Sequence, residues 1–324
     1  MTQKEKYIEL SKQVKLPLAM QPWWLDIVSS ENGKGWDAIV VEDEKGDIIG
    51  AMPYHYVKKL GLIFAIQPHL TQHMGIWMRH IAEGKSVSEY DSVACRIIRL
   101  ISEEIDNRKI FYMNMKLGID SLGLQALEWN GFLCRVRYTY IMKDIPNSEE
   151  EIISTYRENK RRLVKRALQN NLSVGYNEVS PSELYDLYQQ QLHLKGETIF
   201  YPKTIFCRLF DEAIKRNQGG IISIQDQNRT IHSAGAYLLD APYTCQEECT
   251  YINPKYKDDG SSTLLLVKMM MEAKRNGCTS FNKGGGINEC MAMSYAGIGT
   301  ARVAYVQVIK VRGVVGWMIK RMTK

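Results

Sequence analysis

The chain has 324 residues, of which 45% are apolar and 24% charged, and its formal net charge is +6. This length and balance allow about two domains with ordinary cores, and they exclude a bulk-disordered or fibrous chain. The charge is uneven: residues 1–150 hold 18 basic and 20 acidic side chains, hence −2, and the remainder 24 and 16, hence +8, so the second half suits an anionic ligand.

In chain order, residues 1–18 read as a polar lead-in with a short helix, and Pro22–Val28 as an apolar helix with proline near its start. Trp36–Val41 and Ile48–Tyr56 alternate like strands around the acidic turn at 42–47, which predicts a hairpin. Residues 58–80, punctuated by Gly61, Pro68 and Gly75, read as loop. Ser88–Asp106 carries Val93, Ile97, Ile98, Ile101 and Ile105 at helical spacing. Ile110–Met115 reads as a strand, Leu122–Asn130 as a short helix and Arg135–Met142 as a closing strand. The Pro, Asn-Ser and acid run at 144–151 marks a boundary, predicting units 1–145 and 146–324.

The second half repeats that order. Ile152–Asn170 reads as one long basic helix, with six basic residues against one acid between Arg157 and Arg166. An extended segment follows at 172–174, then helices from Ser180 to Leu194 and from Thr204 to Asn217. Gly220–Gln225 and Thr230–Leu239 form a second predicted hairpin over 226–229. A strand from Tyr243 leads into the loop NPKYKDDGSS and the helix TLLLVKMMMEAKRNG, apolar on nearly every side and therefore buried. Ser261, Ser262 or Thr263 can cap its start, and Gly277 its end. A short strand at 279–281, a small-residue loop and a last strand at 302–311 close the half, and 313–324 reads as a basic amphipathic tail.

A strand, a small-residue loop and a helix N-terminus make a seat for an anion, because unpaired N–H groups and the helix dipole converge there. Lys257, Gly260, Ser261, Ser262 and Thr263 are accordingly expected to hold the pyrophosphate of a nucleotide-like acyl carrier. Lys-Asp-Asp-Gly-Ser-Ser is neither a Walker loop nor a dinucleotide fingerprint, and the other reading is a capped crossover helix that binds nothing.

ENKRRLVKRALQNNLSV at 158–174, TIHSAGAYLL at 230–239, YKDDGSSTLLLVKMMMEAKRNG at 256–277 and FNKGGGIN at 281–288 resemble segments of the GNAT acyltransferase fold. Together with PWWLDIV at 22–28, PHLTQHMGI at 68–76 and YAGIGTARVAYVQVIK at 295–310, they make nearly the whole chain similar to tandem-GNAT proteins related to the Fem-type peptidoglycan aminoacyltransferases. Against that group's Q/R-x-x-G-x-G/A loop, Lys257 stands for the cation, Gly260 for the first glycine and Ser262 for the second small residue. The acidic residue usual after the Phe of the next strand is replaced by Asn282-Lys283-Gly284.

The resemblance implies an α/β fold of two GNAT-like halves with mixed sheets, the first a non-catalytic structural or substrate-binding copy and the second carrying the acyl-donor site. It implies N-acyl transfer from acetyl-CoA or another acyl-CoA to an amino group of a cell-envelope precursor or amino sugar. The alternatives are an aminoacyl-tRNA donor, which the basic helix favours through phosphate contacts, and a catalytically silent binding protein. Acyl transfer requires the donor held, the amine deprotonated and the oxyanion stabilised. Backbone groups at Thr250 and Tyr251 are expected along the acyl arm, and the base is expected to be Glu247 or Glu248, with Glu248 the first choice. Its neighbour Glu247 is expected on the opposite strand face, so that only one of the two meets the cleft. Tyr305, or Tyr295, is the candidate acid for the leaving thiolate. His193, Lys195, Glu197 and Tyr201 are expected to line an acceptor pocket, and His73, with His69 and Gln72, to touch the acceptor from the first half.

No metal is expected: the seven cysteines include no CxxC pair, and Cys245 and Cys249 have no partner set. Reduced thiols, and an N-terminus without an apolar signal core, fit a cytoplasmic protein. No run approaches the roughly 20 apolar residues of a membrane span. The basic tail limits membrane contact to a peripheral touch at the inner face.

Overall fold

The computed structural model describes residues 1–79, 86–119, 121, 123–286 and 288–313. The chain divides into Met1–Arg137 with residues from Ala304 onward, and Tyr138–Val303. This differs from a cut at 145/146, and strand pairing gives the reason. The closing strand of each sequence half ends up in the sheet of the other unit, as the registers below show.

The first unit contains α1 (Gln3–Gln13), α2 (Pro22–Val28), β1 (Lys34–Glu42), β2 (Ile48–Lys59), β3 (Leu62–Ile66), β4 (Trp77–Met78), α3 (Val87–Asn107), β5 (Ile110–Lys116) and α4 (Leu124–Trp129). The segment read as loop thus holds strand β3, antiparallel to β2 and, through the crossover α3, parallel to β5. Beyond β6 (Leu133–Met142), the C-terminal strand β12 (Ala301–Val311) pairs antiparallel with β5 from Gln307 to Val311. Ile97, Ile98 and Ile101 of α3 pack with Tyr7, Trp36, Ile39 and Val308 in one core. Their helical spacing is what gave α3 away in the sequence.

The second unit contains α5 (Glu149–Thr155), α6 (Glu158–Gln169), β7 (Ser173–Tyr176), α7 (Pro181–His193), α8 (Lys203–Lys215), β8 (Gly219–Gln225), β9 (Ile231–Asp240), β10 (Thr244–Ile252), α9 (Ser261–Arg275), β11 (Ser280–Gly284) and α10 (Glu289–Ala296). β7 to β10 are successively antiparallel, and β11 returns parallel to β10 through α9. Residues Tyr140–Met142 of β6 complete this sheet against β11. Both units therefore share one scheme: an antiparallel meander whose last strand is followed by a helix and a parallel strand.

Three expectations change here. The long basic helix is two helices, because Tyr156 is extended (φ −75°, ψ 149°) and buries its ring, while the Arg157 amide donates to Gly297 O at 2.9 Å. The small-residue loop after β11 contains α10, whose start is capped by Asn288. The cap of α9 is Gly260 itself, in the left-handed region at φ 88°, with no side-chain cap from Ser261, Ser262 or Thr263. The apolar circumference of α9 is explained by burial on both sides. Leu265, Val267, Met269 and Met270 are sealed in a core with Ile222, Tyr237 and Phe281 of the sheet and Tyr156 and Val164 of α5–α6.

The N-cap of α7 tests how local signals hold this frame. Ser180 Oγ accepts from the Glu183 amide at 3.2 Å. Ser180→Ala is expected to lower stability by about 1 kcal/mol, read as a lower denaturant midpoint at constant slope.

Candidate functional site

β10 and β11 are paired over only three positions, Thr244–Gln246 against Ser280–Asn282. Beyond them β10 runs on to Ile252 without β11 beside it, which leaves a crevice past the carboxyl end of the parallel pair, the usual ligand position in α/β sheets. A cavity of about 470 Å³ lies there, walled by β10, the first turn of α9, Lys283 of β11, one face of α10, Lys160 of α6 and α7 with its following loop. On α10 that face is Met291, Ser294 and Tyr295, at the i, i+3, i+4 spacing that puts side chains together.

The two glutamates of β10 do not sit on opposite faces. The register against β9 slips between Glu247 and Cys249, a bulge that adds Glu248 as an extra residue, and both residues line the cavity. Glu247 is the buried one, 6% exposed. Its Oε1 accepts from Thr250 Oγ1 and from Lys283 Nζ, the latter at 2.5 Å. Its Oε2 is buried and has no hydrogen-bond partner. Lys283 also lies over the ring of Tyr295, 4.8 Å from the centroid. Burial raises the Tyr295 phenol, with Lys283 lowering it and Glu247 raising it less strongly, so the ring keeps its proton at neutral pH.

The residues expected to form the carrier seat fare differently from one another. Thr250, Ser262 and Thr263 line the cavity. Tyr251 is buried outside its lining. Lys257 is exposed. The Ser261 amide donates to Asp259 Oδ1 at 2.8 Å and the Thr263 amide to Gly260 O at 3.0 Å, so the chain itself fills two of the donors expected to be open. Asp259 is held from the other side by His232 Nδ1 at 2.6 Å, and His232 stacks on Tyr256 at 3.7 Å. Gly260 serves packing: a Cβ there would lie 2.0 Å from Leu163 O of α6. Arg166 of α6 closes the same contact, donating to Asp258 O at 2.6 Å.

Of the expected acceptor residues, Lys195 and Glu197 sit exposed at the cavity rim. His193 is exposed and outside the lining. Tyr201 is buried, its carbonyl accepting from Tyr185 OH at 2.9 Å and its ring stacked on Phe206. His73 and Tyr305 belong to the first unit, ring to ring edge-on at 4.5 Å, and neither lines the cavity. Burial, and then the Lys116 charge, push the His73 imidazole down to about 4, so it is neutral at pH 7. Lys160, Tyr188, Lys283 and Ser294 line the site without having been singled out from sequence. Lys283 had a signal there as the residue standing in place of the missing acid, and Lys160 as a member of the basic run 157–166.

Among the described residues no group of three His, Cys, Asp or Glu side chains is placed to hold a metal ion, no disulfide joins any of the seven cysteines, and no helix is long and apolar enough to cross a membrane. The basic tail falls outside the described residues from 314 onward.

No family model and no curated protein sequence matches the chain. Solved structures do. The crystal structure of FemX is similar with a TM-score of 0.69 at 12% identity, over 94% of this chain and 95% of that one. L-PGS from Bacillus licheniformis is similar at 0.54 and 9% identity, over 98% and 96% of the two chains. A tandem GNAT protein from the clavulanic acid biosynthesis pathway is similar at 0.50 and 11% identity, over 95% and 93%. The fold is therefore α/β and of the tandem GNAT, Fem-like type.

Proposed function

We propose that the protein transfers an acyl group to an amine, with the chemistry in the cavity of the second unit. The observation that carries this reading is Glu247, a buried carboxylate with one oxygen fixed by Thr250 and Lys283 and the other without a partner beside the open edge of β10. An ammonium cannot attack, so Glu247 Oε2 first takes its proton. The nitrogen then adds to the acyl carbon, and negative charge develops on the carbonyl oxygen beside the Lys283 ammonium. On collapse the carbon–nitrogen bond stays and the bond to the carrier breaks. The leaving atom takes a proton from Tyr295, which regains one from the nitrogen. Glu248, on the bulge next door, is the second candidate for the base.

The first reading of the donor is acetyl-CoA or another acyl-CoA, its acyl arm extended along β10 at Thr250 and Tyr251. The acceptor is an amino sugar or a cell-envelope precursor, as the Fem-type resemblance implies, met in the cytoplasm at the inner membrane face. A second reading, aminoacyl-tRNA as donor, is favoured by two features. Asp259 occupies an amide that a pyrophosphate would use, and α6, whose Arg166 bonds that loop at Asp258 O, also exposes Arg161, Arg162 and Lys165.

Thermal unfolding separates these donors. Acetyl-CoA at 100 times its Kd is expected to stabilise the protein by about 2.7 kcal/mol, seen as a raised Tm. The tRNA reading expects no such shift and an association that weakens steeply between about 50 and 200 mM salt. A protein that responds to neither and transfers nothing is the silent binding module, and the transferase reading is then lost.

A further inference from the structure

Lys160 is unlike the other cations of α6. Arg161, Arg162, Lys165 and Arg166 are exposed, whereas Lys160 is half-buried and lines the cavity. Its Nζ donates to Ser294 Oγ at 3.0 Å. Among the described residues no carboxylate lies within ion-pair distance of it. The nearby carboxylate, Glu247, is already engaged by Lys283. Burial lowers the Lys160 ammonium, and the charge of Lys283 lowers it further.

An ammonium has three donors and Ser294 uses one. A cation withdrawn from water without an acid partner is unfavourable, and a chain that keeps one in a cavity wall gains when an anion arrives there. The same cavity holds the opposite deficit, the buried and unpartnered Oε2 of Glu247. One wall thus lacks an anion and another lacks a proton donor. A single ligand satisfies both if it carries an amine and an anionic group a few atoms apart.

We propose that the acceptor is zwitterionic at its reacting end: its carboxylate or phosphate rests on Lys160 and Ser294 while its amine meets Glu247. This rests on the transferase reading for which end reacts, and it adds the substrate class. It excludes simple alkylamines, and amino sugars without an anionic group, as good acceptors. Carboxylate and phosphate present the same chemistry to a lysine, so the probes must come in pairs.

The test is calorimetric titration of the donor-free protein at pH 7.5 with D- and L-alanine against ethylamine, and glucosamine 6-phosphate against glucosamine. At least one member carrying a carboxylate or phosphate should bind about 10- to 100-fold more tightly than its counterpart lacking that group, the range for a hydrogen bond to a charged group. An advantage confined to alanine assigns a carboxylate, and one confined to the sugar phosphate assigns a phosphate. Lys160→Met should reduce the advantage to less than about 3-fold, and Lys160→Arg should restore part of it. Equal binding within each pair, no binding by any anionic probe, or an advantage that survives Lys160→Met would overturn the proposal. Titration needs no donor and no turnover. Failure here leaves proton transfer at Glu247 untouched, and failure of transfer leaves this binding result readable.

Discussion

Glu247→Gln is expected to lower kcat for acyl transfer by about 10²- to 10⁴-fold, the range for loss of a general base. The amide keeps the shape and an oxygen for Thr250 and Lys283, so the cavity wall survives, but it cannot accept a proton from an ammonium. Glu247→Ala is a poorer probe. The Glu247 and Lys283 side chains are 3% and 13% exposed, so truncating one strands the other's charge. Breaking such a pair costs about 3–5 kcal/mol, and the lost activity would then be confused with lost structure. Thermal unfolding of Glu247→Gln separates the two: a near-normal transition with lost turnover assigns the loss to the proton acceptor and not to the fold. If Glu247→Gln retains full kcat while Glu248→Gln loses it, the base is the residue on the bulge and the first assignment is wrong.

That ambiguity shows where the sequence stops being readable. Alternation along TCQEECTYI identifies β10, because a strand's period is two. The same rule puts adjacent glutamates on opposite faces, and one inserted residue at Glu248 defeats it without leaving a compositional mark. Hairpins with acidic turns and helices with spaced isoleucines announce themselves locally. The sheet that a closing strand joins does not, so the pairing of β12 with β5 and of β6 with β11 was outside the reach of local signals. Strand β3 was hidden by the glycines and proline around it. Helix α10 was hidden by a short segment with little periodicity after three glycines. The missed helix matters most, since it brings Ser294 to Lys160 and Tyr295 to Lys283.

Gly260 was read as room for a phosphate, and its surroundings assign it a different task that can be measured. Gly260→Ala places a methyl 2.0 Å from Leu163 O and asks an L-residue to hold φ +88°. Strain and overpacking together are expected to cost about 3–5 kcal/mol. Gly277 supplies the control at the other end of α9: it has φ +80° but nothing within 4 Å of an added Cβ. Gly277→Ala should therefore carry only the left-handed backbone cost, about 1–2 kcal/mol. Urea midpoints at matched slopes give both values. Equal losses would mean that α6 yields at no cost and that Gly260 is required only for its dihedral angle. A larger loss at Gly260 means that α6 is pinned to the start of α9 through Leu163. The contact lies one turn along α6 from Lys160, and shifting it moves the ammonium off Ser294. Gly260→Ala is then also expected to weaken anion binding in the cavity, although residue 260 touches no ligand.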